Sequence, residues 1–169
     1  MYKRLFEFYK SSNIDDIEKR CLEHFFECET GKIYNDIIDI CTNNNIKKVF
    51  DIGCAYGYQS ECFIDTNIDY IGIDENTLNF WNRDKYKYIA SRYPFEIKTK
   101  NDSVAISVLC LTWNCYLHEG NKTLNQQLTQ LAKDFDKAIL YISKDKVDYV
   151  KKHFKHCKNI KDNIYYFYN

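Results

Sequence analysis

Proline occurs once in this chain and glycine five times, so it has few of the residues that break helices and strands. That scarcity excludes a linker-rich or low-complexity protein and implies ordered elements joined by short loops. Net charge is absent too. The 24 Lys and Arg balance 24 Asp and Glu, which argues against a surface built throughout to coat nucleic acid. No apolar run approaches the roughly 20 residues that a membrane span needs. Residues 1–12 are charged and mixed, without the apolar core of a secretion signal. The eight cysteines include no C-x-x-C pair. They read as reduced, mostly buried thiols of a cytoplasmic protein rather than as a disulfide scaffold.

What the chain does have is aromatics, with fifteen Tyr and eleven Phe, and a length of 169 residues. That is one domain's worth of chain, enough to bury roughly 70% of the unfolded surface. Apolar residues three or four apart predict a helix over 13–29 (Ile14, Ile17, Cys21, Phe25, Cys28). A second covers 32–44 (Ile33, Ile37, Ile40, Cys41), stopped by Asn43-Asn44-Asn45. Apolar runs predict strands at 47–52, 69–73, 86–90, 103–111 and 138–142. Helices are expected between them at 57–65, 76–84, around Leu124 to Phe135 and around Val147 to Phe154. The tail alternates about Lys161-Asp162-Asn163, which predicts a hairpin of strands 156–160 and 164–168. Strands alternating with helices imply a parallel sheet covered on both faces, with right-handed crossovers. The expected fold is α/β: a Rossmann-like three-layer sandwich on a mostly parallel seven-stranded sheet with an antiparallel C-terminal strand. It forms a single domain, residues 1–169, whose first 31 residues are a helical extension or lid.

The most telling stretch is Val49-Phe50-Asp51-Ile52-Gly53-Cys54-Ala55-Tyr56-Gly57, followed by Ile68-Asp69-Tyr70-Ile71-Gly72-Ile73-Asp74. An apolar strand runs into a small-residue turn, and a second apolar strand ends on an acid. An α/β sheet holds a nucleoside in this way, with the turn close to the ligand and the acid on a ribose. Gly53 and Gly57 permit φ values or close approach that a Cβ would hinder. The turn's N–H groups and the next helix's N-terminus can face a carboxylate. A dinucleotide fingerprint needs G-x-G-x-x-G, and here Ala55 and Tyr58 break that series. Asp51-Ile52-Gly53-Cys54-Ala55-Tyr56-Gly57 resembles the first motif of class I S-adenosylmethionine-dependent methyltransferases. Asp74 resembles their ribose-binding acid, and the strand order with its closing hairpin is similar to their sheet; the resemblance spans about residues 32–169. It implies S-adenosyl-L-methionine as cofactor, bound by Asp51, Gly53, Cys54, Ala55, Gly57 and Asp74, with Asp51 facing the methionine amino group directly or through water. Ala55 departs from the family pattern, where glycine is commonest. As a plain tight turn, the same stretch would leave Asp74 to cap the next helix.

Ser91, beyond the third strand, stands where the family flanks the adenine, often with an acid; a plain loop serine is the alternative. Thr112, Trp113 and Asn114 follow the fourth strand and should sit near the reacting methyl, since strand carboxyl ends face the ligand crevice. Trp113 can stack on a planar acceptor or pack as core, and Asn114 can orient an acceptor nitrogen. His118 can act as a general base or bond backbone at a helix entry. Cys21-x-x-His24-x-x-x-Cys28 and His153-x-x-His156-Cys157 are too thin to support a metal site. The lysines from Lys144 to Lys161, with Lys137 just before, can touch nucleic-acid phosphate or form a solvated face. The expected function is S-adenosylmethionine-dependent methyl transfer to a small-molecule or macromolecular acceptor that the residues do not name. Nucleic acid or protein remain candidate partners, and no membrane is expected. The competing expectation is a methyltransferase-like fold without turnover, acting as a binding or inhibitory protein of the kind a mobile element carries.

Overall fold

The computed structural model describes residues 2–11, 14–27, 29–75, 80–99, 101–108, 110–111 and 121–169. Helices α1 (Lys3–Tyr9), α2 (Asp16–Glu27) and α3 (Thr30–Asn43) lead into β1 (Lys48–Ile52), a 3-10 helix (Tyr58–Phe63), β2 (Asp69–Asp74), β3 (Lys87–Ala90) and β4 (Ser103–Val108). Then come α4 (Asn121–Asp134), β5 (Lys137–Tyr141), α5 (Lys144–Val150), β6 (His156–Lys161) and β7 (Ile164–Tyr168). The strands form one seven-stranded sheet in the order β3-β2-β1-β4-β5-β7-β6. β1 to β5 pair in parallel, and β7 inserts antiparallel between β5 and β6. The expected α/β sandwich on a mostly parallel sheet is the fold that forms.

Strand side chains alternate between faces, and each face has its own core. Phe50 and Ile52 of β1 meet Leu128 and Leu131 of α4 and Val147 and Val150 of α5. Val49 of β1 and Tyr70 of β2 lie on the other side, with Ile37, Ile40 and Cys41 of α3 and Phe63 of the 3-10 helix. Asp51 shares that second face and is fully buried. A third cluster ties α1 and α2 to the body through Leu5, Leu22, Phe25, Tyr56 and Tyr58.

Local chemistry explains where elements depart from expectation. The helix expected over 57–65 is the six-residue 3-10 helix. Thr66 ends it by donating its hydroxyl to the Phe63 carbonyl at 2.9 Å and accepting the Ile68 N–H at 3.2 Å. Over the expected helix 76–84, residues 76–79 lie outside the described ones and 81–85 form turns. The Trp81 N–H goes to the Tyr56 carbonyl at 2.7 Å, and Asn82 adopts φ +60, which an α-helix cannot continue. The described part of the β3–β4 connection carries no helix. Its Tyr93 and Ile97 fill the α4–α5 face instead. The expected strand 103–111 ends at Val108.

α1 was not singled out by any periodicity. Seven residues cannot hold a helix in water alone, and tertiary contacts do so here. Arg4 bonds Asn82 Oδ1 and, at 3.1 Å, Glu61 Oε2, and its guanidinium lies 4.8 Å from the centre of the Trp81 ring. The Glu61 side chain is 10% exposed. The same oxygen accepts Trp81 Nε1–H at 2.8 Å and Asn82 Nδ2–H at 3.0 Å. Replacing Glu61 with alanine should raise amide hydrogen exchange in residues 3–9 about tenfold, since hydrogen bonds to a charged group are worth roughly 1.5–3 kcal/mol each. Unchanged protection would show that Leu5 packing alone holds α1.

Candidate cofactor site

β1 ends at the middle of the sheet, and the next residues turn over its carboxyl end, where open α/β sheets bind ligands. Gly53, Ala55 and Gly57 all lie in the left-handed region, at φ +78, +47 and +70. A Cβ on Gly53 would stand 1.8 Å from Cys110 Sγ, and one on Gly57 would stand 1.9 Å from Phe80 Cε2. Ala55 takes the same conformation with a methyl, at a cost of roughly 1–2 kcal/mol. Its N–H donates to Asp74 Oδ2 at 2.8 Å, so the acid at the end of β2 locks the one residue that departs from the glycine pattern. Gly53 N–H bonds the Ile73 carbonyl and Gly57 N–H the Cys54 carbonyl, each at 2.8 Å. The turn is thus held by hydrogen bonds within the protein at Gly53, Ala55 and Gly57.

A cavity of about 520 Å³ opens over this turn, within the roughly 300–1,000 Å³ usual for ligand clefts. Its floor is Gly53, Cys54 and Ala55, with Asp74 at one side and Val108 and Cys110 at the end of β4. Its roof is α2, which contributes Arg20, Cys21, His24 and Phe25. Tyr34 of α3 and Gln59 of the 3-10 helix complete the wall. Arg92, at the mouth, stands 3.9 Å from Glu75.

Asp51 does not line this cavity. Its carboxylate lies behind the wall, where Oδ2 accepts the Tyr34 hydroxyl at 3.0 Å, the Tyr70 hydroxyl at 2.5 Å and Gln59 Nε2–H at 2.8 Å. Oδ1 is buried with no hydrogen-bond partner. Burial pushes the Asp51 carboxyl up to about 6; the bonds from Tyr70, Gln59 and Tyr34 pull against that, while the Asp74 charge adds to it. The two phenols are driven well above their ordinary range, by burial first and then by the Asp51 charge.

Of the residues expected at the site, Gly53, Cys54, Ala55 and Asp74 line the cavity, and Gly57 shapes the turn beneath it. Ser91 bonds the Asp74 and Ile89 carbonyls through its N–H, at 2.9 and 3.0 Å, while its neighbour Arg92 is the residue at the cavity mouth. Thr112, Trp113, Asn114 and His118 lie outside the described residues. Arg20, Tyr34 and Gln59 were not anticipated. Arg20 and His24 are four apart and so share a helix face. Gln59 and Tyr34 have no sequence signal, because only the fold brings them to Asp51. Of the C-terminal lysines, Lys161 pairs with Asp36 at 2.9 Å and Lys151 with Asp148 at 3.3 Å.

This strand order, with its closing hairpin and glycine turn after β1, defines the class I fold of S-adenosylmethionine-dependent methyltransferases, and solved structures of such enzymes share it. Magnesium protoporphyrin IX methyltransferase (ChlM) from Synechocystis PCC 6803, solved with bound SAM, matches with a TM-score of 0.57 and 11% identity, over 98% of this chain and 88% of that one. N-methyltransferase NodS from Bradyrhizobium japonicum WM9 gives 0.58 and 10% over 82% and 94%. WbdD, a bifunctional kinase-methyltransferase, gives 0.58 and 15% over 96% of this chain, which spans only 44% of that one. No protein-family model and no curated protein matches the chain by sequence.

Proposed function

We propose that the chain is a working methyltransferase that takes S-adenosyl-L-methionine as its methyl donor. The observation that carries this reading is the cavity built on the Gly53–Gly57 turn with Asp74 beside it, at the carboxyl ends of β1 and β2. The residues fit such a cofactor. Gly53 puts bare backbone at the cavity, and Asp74 can accept both ribose hydroxyls while keeping the Ala55 bond, since a carboxylate offers about four lone-pair sites. Arg20 supplies a cation for the methionine carboxylate, a task the turn amides of Gly53, Ala55 and Gly57, each bonded within the protein, leave open.

Bound S-adenosylmethionine would supply an electrophilic methyl on a sulfonium. The protein's part is to hold donor and acceptor in line and to exclude water, which can account for much of the barrier reduction without a dedicated base. α2 roofs the cavity, so residues 1–31 would act as a lid. Thr112, Trp113, Asn114 and His118, which follow β4 in the sequence, are the candidates to meet the acceptor. The acceptor is a small molecule or an exposed group of nucleic acid or protein. Cys21, Cys41, Cys54, Cys62 and Cys157 are free thiols, which suits a cytoplasmic setting.

Calorimetry with S-adenosylmethionine and S-adenosylhomocysteine tests this. The wild type should bind both, and Asp74→Ala should lose affinity by about a hundredfold, since it removes the ribose acceptor and frees Ala55 together. A wild type that binds neither ligand would sink the proposal. Transfer of a tritiated methyl to RNA, DNA, protein and metabolite pools would then find the acceptor.

A further inference from the structure

Gln59 stands at the second position of the 3-10 helix and lines the cavity. Both hydrogens of its amide nitrogen are committed, one to Asp51 Oδ2 at 2.8 Å and the other to the Cys54 carbonyl at 3.0 Å. Both partners are acceptors, so only this orientation of the amide satisfies them. The group is planar, and fixing its two N–H directions fixes its plane and turns Oε1 away from them. No described residue donates to Oε1. What Gln59 has left to offer the cavity is therefore an acceptor.

Behind it, Asp51 is fully buried, and its Oδ1 has no partner. A carboxylate bonded to the nitrogen side of an amide draws charge toward the amide oxygen and strengthens it as an acceptor. The aminoacyl arm of the cofactor carries one carboxylate and one ammonium. Arg20 suits the first. For the second, Asp74 is held by Ala55 and suited to the ribose, Glu75 stands at the mouth beside Arg92, and the Tyr34 hydroxyl donates its proton to Asp51. We propose that Gln59 Oε1 receives the α-ammonium of the cofactor, with Asp51 as a positioning residue that acts through the Gln59 amide. The proposal rests on the cofactor reading above. It moves the contact to the ammonium from Asp51, where the family motif would put it, to a residue outside the motif.

The test compares S-adenosylhomocysteine with its des-amino analogue, which keeps the carboxylate, thioether and nucleoside. The wild type should prefer S-adenosylhomocysteine by about tenfold or more, the value of one hydrogen bond to a charged group. Gln59→Met should erase that preference, read as the ratio of the two affinities measured on the same variant, with a thermal melt confirming the fold. The wild type also supplies a readout that needs no variant. As pH falls from about 8 to about 5, Asp51 takes up a proton and the preference should narrow. The groups facing Asp51 are Tyr34 from α3, Tyr70 and Asp74 from β2, Cys54 from the turn, and Gln59 and Cys62 from the 3-10 helix. The phenols and thiols among them are pushed upward by burial and stay neutral through this range. Asp74 and His24 line the cavity for both ligands alike, so the analogue is the control for any change there. A preference that survives Gln59→Met, or one that does not change with pH, would overturn the proposal alone. Failure of the wild type to bind either ligand would overturn the cofactor reading and this proposal with it.

Discussion

Gly57→Ala is expected to destabilise the chain by about 2–5 kcal/mol. Two effects add. An alanine at φ +70 is strained by roughly 1–2 kcal/mol, and the new Cβ would stand 1.9, 2.4 and 2.8 Å from three atoms of the Phe80 ring. Overpacking of that kind costs typically 1–3 kcal/mol. Phe80 is closely packed, and its ring also borders the cavity lined by Arg4, Phe8 and Trp81. It stacks on Tyr88 at 4.6 Å and on Tyr70 at 6.4 Å, is 4% exposed, and fills a slot whose other side is Gly72. Against a total stability of roughly 5–15 kcal/mol, the loss would leave the domain marginal. Urea denaturation should show the midpoint falling sharply at constant slope, and Phe80→Leu in the Gly57→Ala background should recover part of it. A midpoint within about 0.5 kcal/mol of the wild type would mean that the turn can relax into another conformation.

The same Phe80 shows why some of the fold was legible in the sequence and some was not. The strands were readable because their apolar runs are long and their order is that of a parallel sheet; β1, β2, β4, β5 and the final hairpin lie within a few residues of where periodicity puts them. The turn was readable because Gly53 and Gly57 are needed by backbone geometry, which is local. The connections were not. A reading of 76–84 as helix follows its composition, but the Trp81 N–H is taken by Tyr56 and Asn82 turns left-handed to reach Ser60 and Glu61. Those partners lie about twenty residues away, beyond the reach of any periodic signal. α1 was missed for the same reason, since its one charged anchor, Arg4, bonds Glu61, 57 residues on.

The candidate site divides along that line too. Gly53, Ala55 and Asp74 mark the ends of two successive apolar strands, a pattern readable in the sequence, and the structure brings them together. Arg20, Tyr34 and Gln59 come from three separate elements, and nothing in their own neighbourhoods marks them. Asp51 is the instructive case. Its position in the motif puts it towards the methionine amino group directly or through water, and in the structure alternation along β1 places it on the α3 face, where two phenols and an amide enclose it. The motif alone does not show which way a strand residue faces relative to the cavity wall.

That enclosure makes Asp51→Asn a variant expected to gain stability while losing affinity. In the folded chain the carboxyl rises from an ordinary 3.8 to about 6, chiefly because burial disfavours its charge. The folded state therefore holds a proton that the unfolded chain releases. The stability this provides is fully present below about pH 4 and is lost as pH rises through about 6. At neutral pH the buried charge costs roughly 3 kcal/mol, at about 1.4 kcal/mol for each tenfold. Asparagine keeps one oxygen for Tyr34, Tyr70 and Gln59 and removes the charge. It also places an amide N–H₂ where Oδ1 now lies without a partner, which costs about 1 kcal/mol. The net expectation is a variant about 2 kcal/mol more stable than the wild type at pH 7, with the gap closing between about pH 6 and pH 4. Denaturant titrations of both proteins across that range measure it directly, and equal stabilities at pH 7 would show that the three hydrogen bonds solvate the ionised carboxylate as well as water does. If the gap appears and S-adenosylhomocysteine affinity falls in the same variant, the cost of keeping a charge at Asp51 is borne for the ligand and not for the fold, as expected when a functional site holds a residue that packing alone would replace.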